Sequence, residues 1–192
     1  MEEKRRLNPS ILIVIILLIA FFIWNERENA KTMEKVKSET YQSNYNLLVS
    51  SMLSDASQAE SMGNLIIDVW HNAIWEKSDD ETDKYTMVNG EFVSDFNDAL
   101  QILFNDEAFV KKVSELSVNQ QQIKDAMKNT MLTPPKGYEN AFKALENMYN
   151  VYIAFTDHVL DCRGSFNSFS DEFSSLDKKL LDAYHGAELY VK

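Results

Sequence analysis

All three histidines stand three residues from an aspartate: Asp68 with His71, His158 with Asp161, and Asp182 with His185. Residues three apart on a helix are neighbours, and helical bundles build di-metal centres from carboxylate–histidine pairs at that spacing. Such a centre needs its ligands turned toward the bundle interior. At about 100° per residue, Asp68 and His71 fall opposite the apolar face carried by Ile66, Trp70 and Ala73. Asp182 and His185 fall opposite Phe173, Leu180 and Tyr184, and His158 with Asp161 misses the face of Tyr152, Phe155 and Val159. The angles predict solvated surface pairs, with no metal, no cofactor and no catalytic set.

Cys162 is the single cysteine, so the chain holds no internal disulfide. Thiolate chemistry needs a neighbouring base. His158 lies four residues earlier, but no third group is in place to orient it, and Cys162 is expected to be an unreactive residue in a turn beside Arg163 and Gly164. The carboxylates of Ser78–Gly90 lack the glycine and glutamate positions of an EF-hand loop, and that stretch reads as a solvated loop closed by the turn pair Asn89-Gly90. No phosphate-cradling loop, nucleophile elbow or zinc-protease motif is present. The richest remaining feature is aromatic, with Tyr138, Phe142, Tyr149, Tyr152, Phe155, Phe166, Phe169, Phe173 and Tyr184 recurring at helical spacing. Most of it reads as core. Buried tyrosine hydroxyls need hydrogen-bond partners and can shape a pocket, so Tyr138, Tyr149, Tyr152, Phe169, Phe173 and Tyr184 form the candidate surface for a ligand or partner.

The elements that must position these residues are long helices. Five glycines and three prolines in 192 residues leave few turns. The residues Met33, Val36, Tyr41, Tyr45, Leu48, Met52, Ala56, Ala59, Met62, Ile66, Val69, Trp70 and Ala73 recur mainly at threes and fours and predict a helix over 28–77. Gly63-Asn64 is its expected weak point, where a kink costs least. A second helix over 94–131 is expected to start at the cap Ser94, with Asn105-Asp106-Glu107 a second capping point that would divide it in two. Its stripe includes Phe96, Leu100, Leu103, Phe104, Val110, Val113, Leu116, Ile123, Met127 and Met131. Thr133-Pro134-Pro135 stops it, and Pro135 is placed to open a third helix over 136–161. Ser165 or Ser168 caps a fourth, over 166–189. The last two are matched in length and joined by a short loop, as in an antiparallel hairpin. No period-two run suggests a sheet. The expected fold is all-α, with an N-terminal transmembrane helix followed by an up-down-up-down bundle of four long helices.

The N-terminal run Ile11–Trp24, ILIVIILLIAFFIW, carries no charge. With the residues from Leu7 onward it covers roughly 27 Å as a helix, close to a hydrocarbon core of about 30 Å. Lys4, Arg5 and Arg6 precede it and hold that flank in the cytoplasm, while Phe21, Phe22 and Trp24 suit a lipid–water boundary. A cleaved signal peptide would need a small-x-small site; Asn25-Glu26-Arg27-Glu28-Asn29 supplies none. A buried soluble helix is the weaker alternative. The sequence therefore predicts a cytoplasmic tail over 1–10, a single-pass signal anchor over 11–25 that meets the bilayer through 11–24, and an extracytoplasmic body over 26–192. The net charge of −11, more acidic still for the body alone, disfavours nucleic acid, whose binding depends on neutralising phosphates.

The segment PPKGYENAFKALENMYNVYIAF, followed by GSFNSFSDEF and a late tyrosine, resembles a C-terminal hairpin of uncharacterised membrane-anchored proteins and lipoproteins of Gram-positive bacteria. The matching positions are Pro134, Pro135, Tyr138, Tyr149, Tyr152, Gly164, Ser165, Asn167, Ser168 and Phe169. Cys162 departs from the polar or proline residue expected in that turn. The resemblance covers about a third of the chain and implies location and fold, with no activity attached. Together these features predict a non-enzymatic, membrane-tethered bundle on the bacterial cell membrane that binds a protein or cell-wall partner. The alternative is an extracytoplasmic sensory ligand-binding domain acting through a partner.

Overall fold

A computed structural model describes residues 9–192, with side chains from residue 21 onward. Its described residues form α1 (Pro9–Ile74), α2 (Asp83–Thr86), β1 (Met87–Val88), β2 (Glu91–Phe92), α3 (Phe96–Asn105), α4 (Glu107–Ala126), a π-helical turn (Met127–Met131), α5 (Glu139–Leu160) and α6 (Phe166–Glu188). The class is all-α. The chain divides into two units, Met1–Tyr41 and Gln42–Lys192. The expected tail over 1–10 and most of the expected span over 11–25 lie outside the residues whose side chains are described. Among the described residues, no helix is long and apolar enough to cross a membrane.

In the first unit, Phe21, Phe22, Ile23 and Trp24 stand exposed, and the helix surface carries the i,i+3 pair Lys31–Glu28 at 2.9 Å. Met33 and Val36, placed on a core stripe by their spacing, are 74% and 55% exposed. Periodicity defines a face but cannot supply what would bury it.

The second unit is built on the stripe Tyr45, Leu48, Met52, Ala59, Met62, Ile66, Val69 and Trp70 of α1, all buried as the spacing predicts. α5 and α6 form the expected antiparallel hairpin, with the rings of Phe155 and Phe173 5.3 Å apart. Ser165 opens α6 with a capping box completed by Ser168, which satisfies donors that a helix start otherwise leaves unpaired. The far end of α6 is tied to α1: the Tyr45 hydroxyl donates at 2.8 Å to the Ala187 carbonyl, which also accepts from the Tyr190 N–H in the closing turn.

Several expectations are corrected. The 94–131 segment divides at Asp106, as its second capping point implied, but ends in a π turn that its spacing did not mark. Asp95, not Ser94, caps α3, its carboxylate accepting from Asn97 N at 2.8 Å. Asp106 takes an extended ψ of 125° and caps α4 by accepting from Phe109 N. Phe109, rather than Val110, is therefore the buried residue. Pro135 does not open α5, because Gly137 at φ +92° breaks the chain direction before Glu139. The 78–90 stretch is not a solvated loop throughout: it holds α2 and buries Thr82, Tyr85 and Thr86. A small sheet exists where none was expected. Asn89 and Gly90, at φ +56° and +85°, make a turn of the kind that closes two-residue hairpins, and Met87 pairs Phe92 across it.

Gly63 is not a kink. α1 runs through it unbroken, and a Cβ there would sit 2.1 Å from Cε2 of the buried Phe173 ring. The residue is small so that α6 can approach the α1 backbone. Alanine at 63 would gain about 1 kcal/mol in helix propensity, but overpacking costs about 1–3 kcal/mol. Gly63→Ala is therefore expected to lower the urea midpoint, and Phe173→Leu in the same chain to recover part of the loss. A more stable single variant would show that Phe173 does not need this gap.

Candidate functional site

The six aromatic candidates do not form one surface. Phe169 and Phe173 are buried in the hairpin core, their rings stacked at 6.4 Å. Tyr138 is half-buried, under the Lys192 ammonium at 5.5 Å. Tyr184 is half-buried and lines a shallow groove with Leu53, Glu60 and Leu181. Its phenol is raised above the ordinary value by hydrogen bonding to Glu188. Tyr149 is half-buried, and desolvation with the nearby Asp157 raises its phenol. The hydroxyl of the fully buried Tyr152 reaches a polar partner, Asp55, in the interior.

The histidine pairs dissolve as well. His158 is not a solvated partner of Asp161. It is half-buried, its ring stacks 4.4 Å from that of Phe169, and its Nε2 lies 3.0 Å from the Phe169 carbonyl. A carbonyl only accepts, so Nε2 carries the hydrogen. Asp161 instead pairs with Arg163. His71 contacts Asn72 Oδ1 at 2.9 Å, and His185 pairs with Glu188 rather than Asp182. Among the described residues, no group of three metal-ligating side chains comes together. Burial, then the neighbouring Asp161 charge, pushes the Cys162 thiol up to about 11, so it carries little thiolate at neutral pH.

The polar centre of the second unit is Asp55, which is 7% exposed. Asn119 of α4 donates to its Oδ1 at 2.9 Å, and the hydroxyl of Tyr152, on α5, donates to its Oδ2 at 3.1 Å. Three helices are thereby joined at one carboxylate. A second link follows along α4, where Gln120 Nε2 donates to Thr156 Oγ1 and to Asp157 Oδ1, each at 2.7 Å, while Lys124 donates to Gln120 Oε1. Burial raises the Asp55 carboxyl above its ordinary value, against the two hydrogen bonds that lower it. Burial and the Asp55 charge hold the Tyr152 phenol far above its own.

Asp55 also lines a groove of about 370 Å³ between α1 and α4. Asn44, Ser51 and Gln122 supply polar groups, and Leu47, Leu48 and Ile123 supply apolar ones. Ala126 and Thr130 enter where α4 passes into the π turn. The angular sum applied to the histidines would have found this carboxylate: Asp55 lies three residues after Met52 and four before Ala59, on the buried face.

A second groove, of about 510 Å³, opens beside the start of α6. Trp70, Trp75, Phe96 and Phe166 line it with Asn97 and Asn167. Trp75 meets Phe166 edge-on at 5.4 Å, and Trp75 and Phe96 are 55% and 41% exposed.

Comparison of the chain with family models, curated proteins and solved structures returns no match.

Asp55→Ala strands the Tyr152 hydroxyl and is expected to cost about 1–3 kcal/mol. Asp55→Asn keeps the shape and can rejoin both partners by amide and hydroxyl reorientation. The carboxyl is faced by Asn119 from α4 and Tyr152 from α5, with Asp157 further along α5. Its folded pKa lies above the unfolded value, so the native chain binds this proton more tightly. Wild type consequently loses stability as pH rises through the folded pKa. The stability of Asp55→Asn relative to wild type should grow from about pH 4 to about pH 7. Urea unfolding at both pH values checks it, and a flat difference would deny the buried carboxylate any cost.

Proposed function

We propose that this chain is a membrane-tethered, extracytoplasmic helical bundle that acts without catalysis by docking a protein or cell-wall partner of the cell envelope. The observation that carries the docking reading is the aromatic groove of Trp70, Trp75, Phe96 and Phe166. The exposed rings of Trp75 and Phe96, set beside the half-buried Phe166 and the buried Trp70 with amides at the edge, have the make-up of an interaction hot spot. The tether reading rests on the uncharged run Ile11–Trp24 behind Lys4, Arg5 and Arg6. The four consecutive exposed residues Phe21, Phe22, Ile23 and Trp24 suit it, since exposed apolar patches mark membrane or protein contacts.

The groove over Asp55 favours a second reading, a sensory domain that takes a small ligand and passes the signal through a partner. The two differ in whether the aromatic surface or the groove over Asp55 is indispensable.

Leu17→Arg should move the full chain from the membrane fraction to the soluble fraction of cells, since a central charge in a span costs about 2.5–3.5 kcal/mol. Protease added to intact cells should digest the body of the wild-type chain, and protection there with digestion after lysis would sink the orientation. Trp75→Ala with Phe96→Ala alters two exposed residues, so the fold should survive while capture of an envelope partner by the full chain drops at least tenfold. Unchanged capture would remove the groove from the docking reading.

A further inference from the structure

We propose that the groove over Asp55 is a binding site for a small organic cation, an alkylammonium group whose charge meets the Asp55 carboxylate and whose alkyl chain lies on Leu47, Leu48 and Ile123. Asp55 is the one charged residue in the lining, and no lysine, arginine or histidine among the described residues forms an ion pair with it. Its two hydrogen bonds come from neutral groups. A carboxylate offers about four acceptor positions, so two remain for a ligand. A buried carboxylate without a counter-charge is costly, and a cation entering the groove supplies that charge. An anion would meet the carboxylate's repulsion, and a neutral apolar molecule would desolvate it further.

The walls suit the rest of such a molecule. The side-chain oxygens of Ser51 and Gln122 can accept the remaining ammonium hydrogens, while Asn44, about 16 Å along α1 from Asp55, lies at the far end of the lining. Leu47 is 61% exposed and sits in the lining beside buried Leu48 and Ile123, an apolar shelf next to the charge. The π turn carries Thr130 into the lining with its hydroxyl donated to the Ala126 carbonyl at 2.5 Å, which leaves the hydroxyl oxygen as an acceptor. A chain with a net charge of −11 draws cations toward its surface and raises their local concentration. The volume lies in the range of small-molecule sites, about 300–1,000 Å³. This assignment needs no docked envelope partner and stands apart from that reading.

The test uses the full chain in a neutral maltoside detergent at about pH 7.5 and constant ionic strength, titrated with n-butylammonium, methylammonium, butyrate and 1-butanol. Butylammonium at about ten times its dissociation constant is expected to raise Tm by about 3–6 °C, with methylammonium weaker and butyrate without effect. Asp55→Asn should lose at least tenfold in affinity while keeping its helical circular dichroism. Leu47→Asn changes an exposed residue and should erase the advantage of butylammonium over methylammonium. Equal shifts from butyrate or butanol, or full affinity in a folded Asp55→Asn chain, would overturn the proposal. Should Asp55→Asn fail to fold, Leu47→Asn decides: an undiminished butyl preference overturns it, and loss of that preference supports it.

Discussion

The ring of Phe173 rests on the backbone of α1 at Gly63, where no side chain stands between them. That approach sets how near α6 comes to α1. α6 in turn carries α5 through the pairing of Phe155 with Phe173 and of His158 with Phe169. With the α5–α6 hairpin at that height, the Tyr45 hydroxyl reaches the last turn of α6 and the Tyr152 hydroxyl reaches Asp55. Close packing makes these positions interdependent, because an interior filled to crystal-like density transmits a shift at one contact to its neighbours.

Apolar faces alone would let the helices of this unit slide along one another by a turn. The polar links remove that freedom. Asp55 takes hydrogen bonds from α4 and α5 at the same time, and Gln120 reaches two residues of α5. Each buried partner would be costly to leave unpaired, so a register that breaks one link forfeits others. The same carboxylate that locks the register lines an open groove. A group placed for structural reasons can in this way become the one fixed charge that a ligand meets.

Much of the architecture is legible in the amino-acid sequence. The α1 stripe from Tyr45 to Ala73 is buried residue for residue, Ser165 caps α6, and Asp106 divides the second helical segment. Asn89-Gly90 marked a turn, although the two-residue strands on either side are too short to show an alternating pattern. The misses have physical causes. Glycine in a helix reads as weakness until the ring that fills its place is known. His158 lies off its stripe yet stacks on Phe169, because a broad aromatic from the neighbouring helix covers more of α5 than one apolar stripe describes. Asp55 lay on the buried face by spacing, but a single carboxylate among apolar residues reveals neither donor, since Asn119 and Tyr152 are far away in sequence.

The amino-acid sequence by itself determined the helical class, the buried face of α1 in the second unit and most of those of α5 and α6, the position of most caps and turns, and the uncharged N-terminal run. These follow from interactions within a few residues along the chain: side-chain periodicity, capping and backbone preference. The tertiary structure alone decided which small residue admits an aromatic ring, which polar side chains meet in the interior, and where grooves remain open. Those outcomes depend on contacts between residues dozens of positions apart, and local spacing carries no record of which helix will lie opposite.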